Sequence, residues 1–122
     1  MGSAVGDYDG DGDLDWFITA ILGPNTDGNR MFRYEGLRTF SDATDEAGVR
    51  EGWWGWGTDL FDMDNDGDLD LVQTAGWNST LYLEDPMSAW VNLGEGKMLS
   101  YGEPSGLIDP AHGRGLITVD YD

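Results

Sequence analysis

Two nine-residue acidic runs lie 55 residues apart in this chain, counted from residue 7 to residue 62. The first occupies residues 7–15 (DYDGDGDLD) and the second residues 62–70 (DMDNDGDLD). Each run has aspartate at its odd positions and glycine at position 6. Carboxylates in this pattern converge if the backbone curls around a cation, and calcium takes about six to eight oxygen ligands at about 2.3–2.6 Å. The runs therefore predict two calcium-binding loops.

Each loop position has its own predicted role. Positions 1, 3 and 5 offer carboxylates, position 7 its backbone carbonyl, and position 9 a carboxylate that closes the shell. Gly12 and Gly67, at position 6, supply the positive φ that the curl requires. An EF-hand needs glutamate at position 12, where this chain has Ile18 and Gln73. The predicted ligands are Asp7, Asp9, Asp11, Asp13, Asp15, Asp62, Asp64, Asp66, Asp68 and Asp70.

Two alternatives to calcium remain open from the residues alone. An acidic surface turn without metal is one, but it leaves several carboxylates repelling one another at close range. Magnesium is the other, but it keeps its waters and seldom accepts a cage made only of protein ligands. Calcium is favoured over both, and we predict about two calcium ions per chain.

Apolar runs follow both loops directly, so each loop is predicted to join two strands rather than two helices. Glycine and Asx-rich turns separate further short apolar runs, and no stretch has a sustained helical period. Beside an N-terminal strand at residues 3–6, the predicted strands occupy residues 14–20, 30–34, 39–42, 58–61, 69–75, 81–83, 89–92, 97–101 and 116–119.

The similarity between the two halves extends beyond the loops, since residues 31–36 align with 89–94 and residues 47–49 with 105–107. Repeat 1 spans about residues 1–56, repeat 2 about 57–114, and a third begins at about 115, with Asp120 and Asp122 at loop positions 1 and 3. Four strands per unit at this period are typical of a β-propeller blade. The predicted fold is all-β, with two four-stranded antiparallel blades and the start of a third.

The chain resembles the FG-GAP/VCBS repeat family, whose blades form the propeller of integrin α subunits and of many bacterial surface proteins. Besides the acidic loops, the resemblance rests on residues 5–9 (VGDYD), 31–33 (MFR), 39–42 (TFSD) and 113–116 (GRGL). Within the family, the likeness is greatest to propellers of the cartilage acidic protein type, which often carry an ASPIC/UnbV segment. Family propellers usually have about seven blades, so we expect the chain to be an excerpt of a larger propeller.

The resemblance implies the same calcium ligands as the residues do. Side chains would bind at positions 1, 3, 5 and 9 of each loop, and Asp13 and Asp68 would bind through the main chain. The chain has no recognisable ASPIC/UnbV segment.

The formal net charge of −18 comes from 6 basic and 24 acidic residues. Such a surface repels nucleic acid and anionic membranes, so neither nucleic-acid binding nor membrane insertion is expected. The absence of cysteine excludes a disulfide framework and thiol chemistry. Calcium sites built only from oxygen fill best where calcium is near millimolar, which predicts an extracellular or cell-surface location.

Other candidate residues are weaker. His112 is the only histidine, and no nucleophile motif lies near it, so no enzymatic activity is predicted. Trp53, Trp54 and Trp56 are interpreted as packing between blades, with a sugar-stacking platform as the alternative. Asn78 begins a glycosylation sequon, a triplet that also arises often by chance.

The predicted function is a calcium-binding extracellular β-propeller repeat module with a structural, adhesion or ligand-binding role. Its partners would be calcium, other blades or copies of the same chain, and a protein or carbohydrate ligand. One alternative is a self-assembling subunit that forms a ring or fibre from blades of several chains. The other is part of a propeller enzyme that acts on carbohydrate.

Overall fold

The computed structural model describes residues 1–107 and 109–119 of the chain. Two short helices, α1 (Thr44–Ala47) and α2 (Gly102–Ser105), accompany its strands. Among the described residues, no helix is both long and apolar enough to cross a membrane. The strands, in chain order, are β1 Ser3–Gly6, β2 Asp15–Ile18, β3 Leu22–Gly23, β4 Thr26–Asp27, β5 Arg30–Tyr34, β6 Phe40–Asp42, β7 Gly55–Phe61, β8 Asp70–Ala75, β9 Ser88–Asn92 and β10 Met98–Ser100.

Two four-stranded antiparallel sheets dominate the described part of the chain. Sheet 1 has the order β1-β2-β5-β6 and sheet 2 the order β7-β8-β9-β10, so neighbouring strands follow one another along the chain. The short hairpin β3–β4 lies in the connection between β2 and β5. The all-β prediction with four-stranded antiparallel blades is confirmed.

Two predicted strands are wrong. Residues 81–83 form a turn, in which the amide of Trp77 donates to the carbonyl of Tyr82, and the Tyr82 ring packs edge-on against Trp54 at 5.0 Å. Residues 116–119 do not form a strand; there, the amide and the hydroxyl of Thr118 donate to the side-chain carboxylate of Asp59 in β7. The predicted third loop, at Asp120 and Asp122, lies outside the described residues.

The hydrophobic core lies between the facing surfaces of the two sheets. Because strand side chains alternate between faces, Phe17 points toward sheet 2 and is fully buried, whereas Trp16 points away from it and is exposed. The core residues are Tyr8, Phe17, Met31, Ala43, Ala47 and Val49 from the first unit, and Leu71, Trp90 and Met98 from the second, with Leu60 packed against them.

A buried polar network also joins the sheets. The Nδ2 of Asn29 donates to the Oε1 of Gln73 at 2.9 Å, and the Nε2 of Gln73 donates to the carbonyl of Gly52. The Oδ1 of Asn29 accepts the amide of Ala20 at 3.0 Å. A Cβ at Gly52 would collide with both side-chain amides, so the network requires glycine there.

Candidate metal centres

Each acidic loop connects the first two strands of its sheet. Gly6 pairs with Asp15 across β1 and β2, and Phe61 pairs with Asp70 across β7 and β8. The last aspartate of each loop is therefore already part of a strand ladder. The ladder fixes where its carboxylate lies.

Three carboxylates converge in each loop. Oxygen atoms of Asp7, Asp9 and Asp15 all lie within 4.8 Å of one another, and those of Asp62, Asp64 and Asp70 do the same. Two oxygens that bind the same calcium ion at 2.3–2.6 Å can be at most about 5 Å apart. The spacing in both loops is therefore compatible with one calcium ion per loop.

The position 1 carboxylate organises the loop backbone. The Oδ1 of Asp7 accepts the amides of Gly10 at 2.9 Å and Asp11 at 3.1 Å, and its Oδ2 accepts Gly12 at 3.0 Å. Asp62 accepts the amides at positions 5 and 6 of the second loop in the same way. Gly12 has a φ of +92° and its counterpart Gly67 one of +99°, a conformation that favours glycine.

The position 9 carboxylates are buried anchors as well as candidate ligands. Asp15 is 0% exposed, and its two oxygens accept the amides of Tyr34 at 2.8 Å and Tyr8 at 3.3 Å. Asp70 is 1% exposed and accepts the amides of Asn92 at 2.8 Å and Met63 at 2.7 Å. Each of these carboxylates thus ties its loop to the third strand of its sheet.

The remaining four predicted ligands do not belong to the converging groups. Asp11 and Asp66 are exposed, and each uses an oxygen to accept the amide at position 7, at 2.8 Å and 2.9 Å. The side chain of Asp13 is exposed and that of Asp68 is half-buried. The structure therefore brings together the carboxylates of positions 1, 3 and 9 of each loop and leaves the position 5 carboxylates outside these groups. Binding through the backbone carbonyl of position 7 stays a prediction.

A family model described as FG-GAP-like repeat matches residues 7–72, which include both acidic loops. The chain belongs to this family. No curated protein and no solved structure matches the chain. The finer resemblance to integrin α subunits and to cartilage acidic protein propellers stays a prediction.

The electrostatics of these FG-GAP-like loops favour a bound cation. Partial burial raises the pKa of Asp9, and the nearby carboxylates of Asp11 and Asp7 raise it further. Burial likewise raises the pKa of Asp15 above its ordinary value. Such shifts mean that the ionised carboxylates are held in unfavourable surroundings, which a divalent cation would reverse. Because the donors are all carboxylate oxygens, the set fits a hard cation such as calcium.

The tryptophan cluster of this FG-GAP-like chain is largely stacked on itself. Trp54 and Trp77 stack with ring centroids 5.1 Å apart and an interplanar angle of 18°. The guanidinium of Arg114 lies 4.4 Å from the centroid of Trp56 and 5.1 Å from that of Trp77. These contacts cover ring faces that a sugar would need and favour the packing interpretation.

The remaining candidates lie at the surface. His112 is exposed, and its Nε2 is 3.3 Å from the carbonyl of Leu83. Asn78 is exposed in a turn. Trp53 is 49% exposed, with a φ of +57°.

Sequence reasoning missed Asn92, a buried side chain that contacts both loops. In the repeat alignment, Asn92 is equivalent to Tyr34. The replacement of an aromatic side chain by a carboxamide at this position was the sequence signal that could have identified it.

Proposed function

We propose that this chain is a calcium-stabilised propeller module that acts outside the cell in a structural, adhesion or ligand-binding role rather than as an enzyme. The observation that carries the proposal is the convergence of three carboxylates in each of two repeated loops. Membership of the FG-GAP-like repeat family supports the propeller architecture.

Calcium would act on stability through the loops. Ionised carboxylates at this spacing repel one another, and in a loop without a cation this repulsion favours an open conformation. A bound ion offsets that repulsion and fixes the connection between the first two strands of each sheet. Since an unfolded chain does not hold the carboxylates together, the free energy of binding adds to the free energy of folding.

The proposed location outside the cell rests on where calcium is abundant. Two calcium ions would bring the formal charge from −18 to −14, which still leaves a strongly acidic surface. Oxygen-only sites of this kind fill where calcium is near millimolar, as it is outside cells.

Calorimetric titration of the metal-free chain with calcium tests the proposal. We expect about two sites per chain, both of which magnesium at equal concentration fails to occupy. Absence of binding heat, or equal competition by magnesium, would overturn it. The matched control is a variant with Asp64→Asn, which should lose one of the two sites.

A specific observation also supports assembly between copies of the chain. On the side of sheet 2 that faces away from sheet 1, there is an open groove of about 650 Å³. Its apolar lining residues are Phe61, Met63, Val91, Leu93, Leu99, Tyr101 and Leu107.

The repeat relates this groove to an interface that the chain already contains. Tyr8, Ala47 and Val49 form part of the face that sheet 2 covers. Their equivalents in the second unit line the groove and are Met63, Ser105 and Leu107.

The opposite side of sheet 1 carries the complementary surface. Sheet 2 contacts sheet 1 through residues that have equivalents in the first unit. These residues are Leu71, Trp90 and Met98, with Leu60 packed against them. Those equivalents are Val5, Trp16, Phe32 and Phe40, of which Val5, Trp16 and Phe40 are exposed. We therefore propose that the groove of one copy accepts this face of a second copy, in a head-to-tail contact that closes as a ring or continues as a fibre.

Sedimentation analysis of the chain in calcium tests this second candidate. We expect concentration-dependent association that Leu99→Asp abolishes, because the charge would lie in the groove. Leu37→Asp, at a turn residue that is 98% exposed, is the matched control and should associate normally. A chain that stays monomeric at every accessible concentration would overturn assembly and leave the calcium proposal intact.

A further inference from the structure

A single carboxamide contacts both acidic loops. The Nδ2 of Asn92, the last residue of β9, donates to the carbonyl of Tyr8 at 2.7 Å and to the carbonyl of Leu69 at 3.1 Å. Tyr8 lies between Asp7 and Asp9 in the first loop, and Leu69 immediately precedes the last aspartate of the second. Each of the two N–H donors of this amide therefore serves a different loop.

The Asn92 side chain has little freedom to serve one loop without the other. It is 2% exposed, and its Oδ1 accepts the amide of Gly94 at 3.1 Å. Its backbone amide donates to the anchor Asp70 at 2.8 Å. A buried N–H donor that loses its acceptor raises the free energy of the folded chain. Movement of either loop therefore changes the free energy of the other loop's contact with Asn92.

Two close backbone approaches reinforce the connection. A Cβ at Gly96, in the turn after β9, would lie 2.6 Å from the Tyr8 ring and 2.9 Å from the Cβ of Asp9. A Cβ at Gly6, just before the first loop, would lie 2.8 Å from the side chain of Leu69. The loops and the end of β9 thus form one packed unit.

The carboxamide bridge is not a general requirement of the repeat. Asn92 is equivalent to Tyr34, whose backbone amide makes the same bond to the anchor aspartate of its own loop, Asp15, at 2.8 Å. The Tyr34 side chain instead packs against Phe40, with ring centroids 5.2 Å apart. The backbone bond is common to both units, and the link between loops is specific to Asn92.

We propose that Asn92 couples the two calcium sites, so that occupation of either loop raises the affinity of the other. This inference rests on the proposed calcium function. The first ion orders its own loop. Through the shared Asn92 carboxamide, it also orders the backbone carbonyl of the other loop that accepts from Asn92. The second ion then binds a site whose ordering cost is already reduced. Allosteric coupling of this kind typically changes affinity by about five-fold or more.

A reciprocal binding cycle tests the coupling. Asp64→Asn disables the second loop, and the calcium affinity of the first loop is then followed by calorimetry and by the NMR shift of the Gly12 amide. We expect the first loop to bind at least about five-fold more weakly than it does with the second loop filled. Asp9→Asn, with the Gly67 amide as reporter, should weaken the second loop by the same factor.

Asn92→Ala should remove the coupling, so that Asp64→Asn no longer changes the affinity of the first loop. Asn78→Ala, at an exposed turn, is the matched control and should leave the coupling unchanged. If Asn92→Ala does not fold, Asn92→Leu, which keeps the side-chain volume but has no N–H donor, takes its place in the cycle.

The outcomes separate the two proposals. Two binding events whose affinities do not depend on one another would overturn the coupling and leave the calcium function intact. No calcium binding in either loop would overturn the calcium function itself, and the coupling with it. Coupling that survives Asn92→Ala would show that this residue does not transmit it.

Discussion

Carboxylates of the second loop have two predicted roles, as a buried anchor for backbone amides and as a calcium ligand. Two aspartate-to-asparagine substitutions separate these roles. Asp70 and Asp64 contribute to the same group of three oxygens, but Asp70 is 1% exposed and Asp64 is exposed. Asp70 also accepts two backbone amides, from Asn92 and Met63. We therefore expect Asp70→Asn to reduce stability with and without calcium, and Asp64→Asn to reduce it only with calcium.

The magnitudes follow from these contacts. Asparagine at position 70 keeps one acceptor oxygen and turns an NH₂ group toward the other amide, so one charge-assisted bond is lost, at about 1.5–3 kcal/mol. In chelator, Asp70→Asn should lower the free energy of unfolding by that amount, whereas Asp64→Asn should not lower it, because it removes one of the mutually repelling charges of the metal-free loop.

Calcium adds a second contribution. At a free concentration about 100 times the dissociation constant, one site stabilises the folded chain by about 2.7 kcal/mol. Asp64→Asn should lose about that amount in calcium, and Asp70→Asn should lose about 4–6 kcal/mol in total. Urea unfolding followed by tryptophan fluorescence, in calcium and in chelator, measures all four values.

Equal losses for the two variants in chelator would refute the anchoring role of Asp70. An Asp64→Asn variant that calcium stabilises as much as the natural chain would refute the ligand role of Asp64.

Three further predictions have definite expected results. Asp66→Ala should reduce calcium-dependent stability more than Asp68→Ala, because the Asp66 carboxylate holds the position 7 amide at 2.9 Å and is itself a predicted ligand, whereas position 7 is expected to bind through its retained backbone carbonyl; equal shifts in thermal melts would contradict this ligand assignment. Burial raises the pKa of Asp85, so its charged form opposes folding and stability is lost as pH rises through that pKa. Asp85→Asn should thus gain stability over the natural chain as pH rises, and a pH-independent difference in melting temperature would count against it. Gly52→Ala should destabilise the chain far more than Gly115→Ala, because a Cβ at position 115 meets nothing within 4 Å; similar denaturation midpoints would be inconsistent with the buried amide network.

Much of the fold was predictable because its signals are local. The acidic loops and the runs that follow them repeat at a fixed interval, and each observed four-stranded sheet begins with a strand that leads into a loop. The same kind of local pattern wrongly predicted a strand at residues 81–83, which form a turn. The Tyr82 ring in this turn packs on Trp54, a residue distant in sequence. A local pattern does not reveal such a contact.

The candidate site was predictable in composition but not in its internal division of roles. The aspartate spacing predicts four carboxylate ligands per loop, yet only three carboxylates converge, and Asp15 and Asp70 are distinguished by burial that depends on strands β5 and β9. The bond between Asn92 and Tyr8 spans 84 residues of sequence. No local pattern reports such a contact, because it arises only when the two sheets pack together.

Crystallographic location of calcium tests the central claim most directly. Crystals grown in calcium should show two anomalous difference peaks per chain. We expect one within about 2.3–2.6 Å of carboxylate oxygens of Asp7, Asp9 and Asp15, and the other at the same distance from Asp62, Asp64 and Asp70. Absence of peaks at both loops, in crystals whose sulfur positions are visible in the same map, would contradict the calcium assignment.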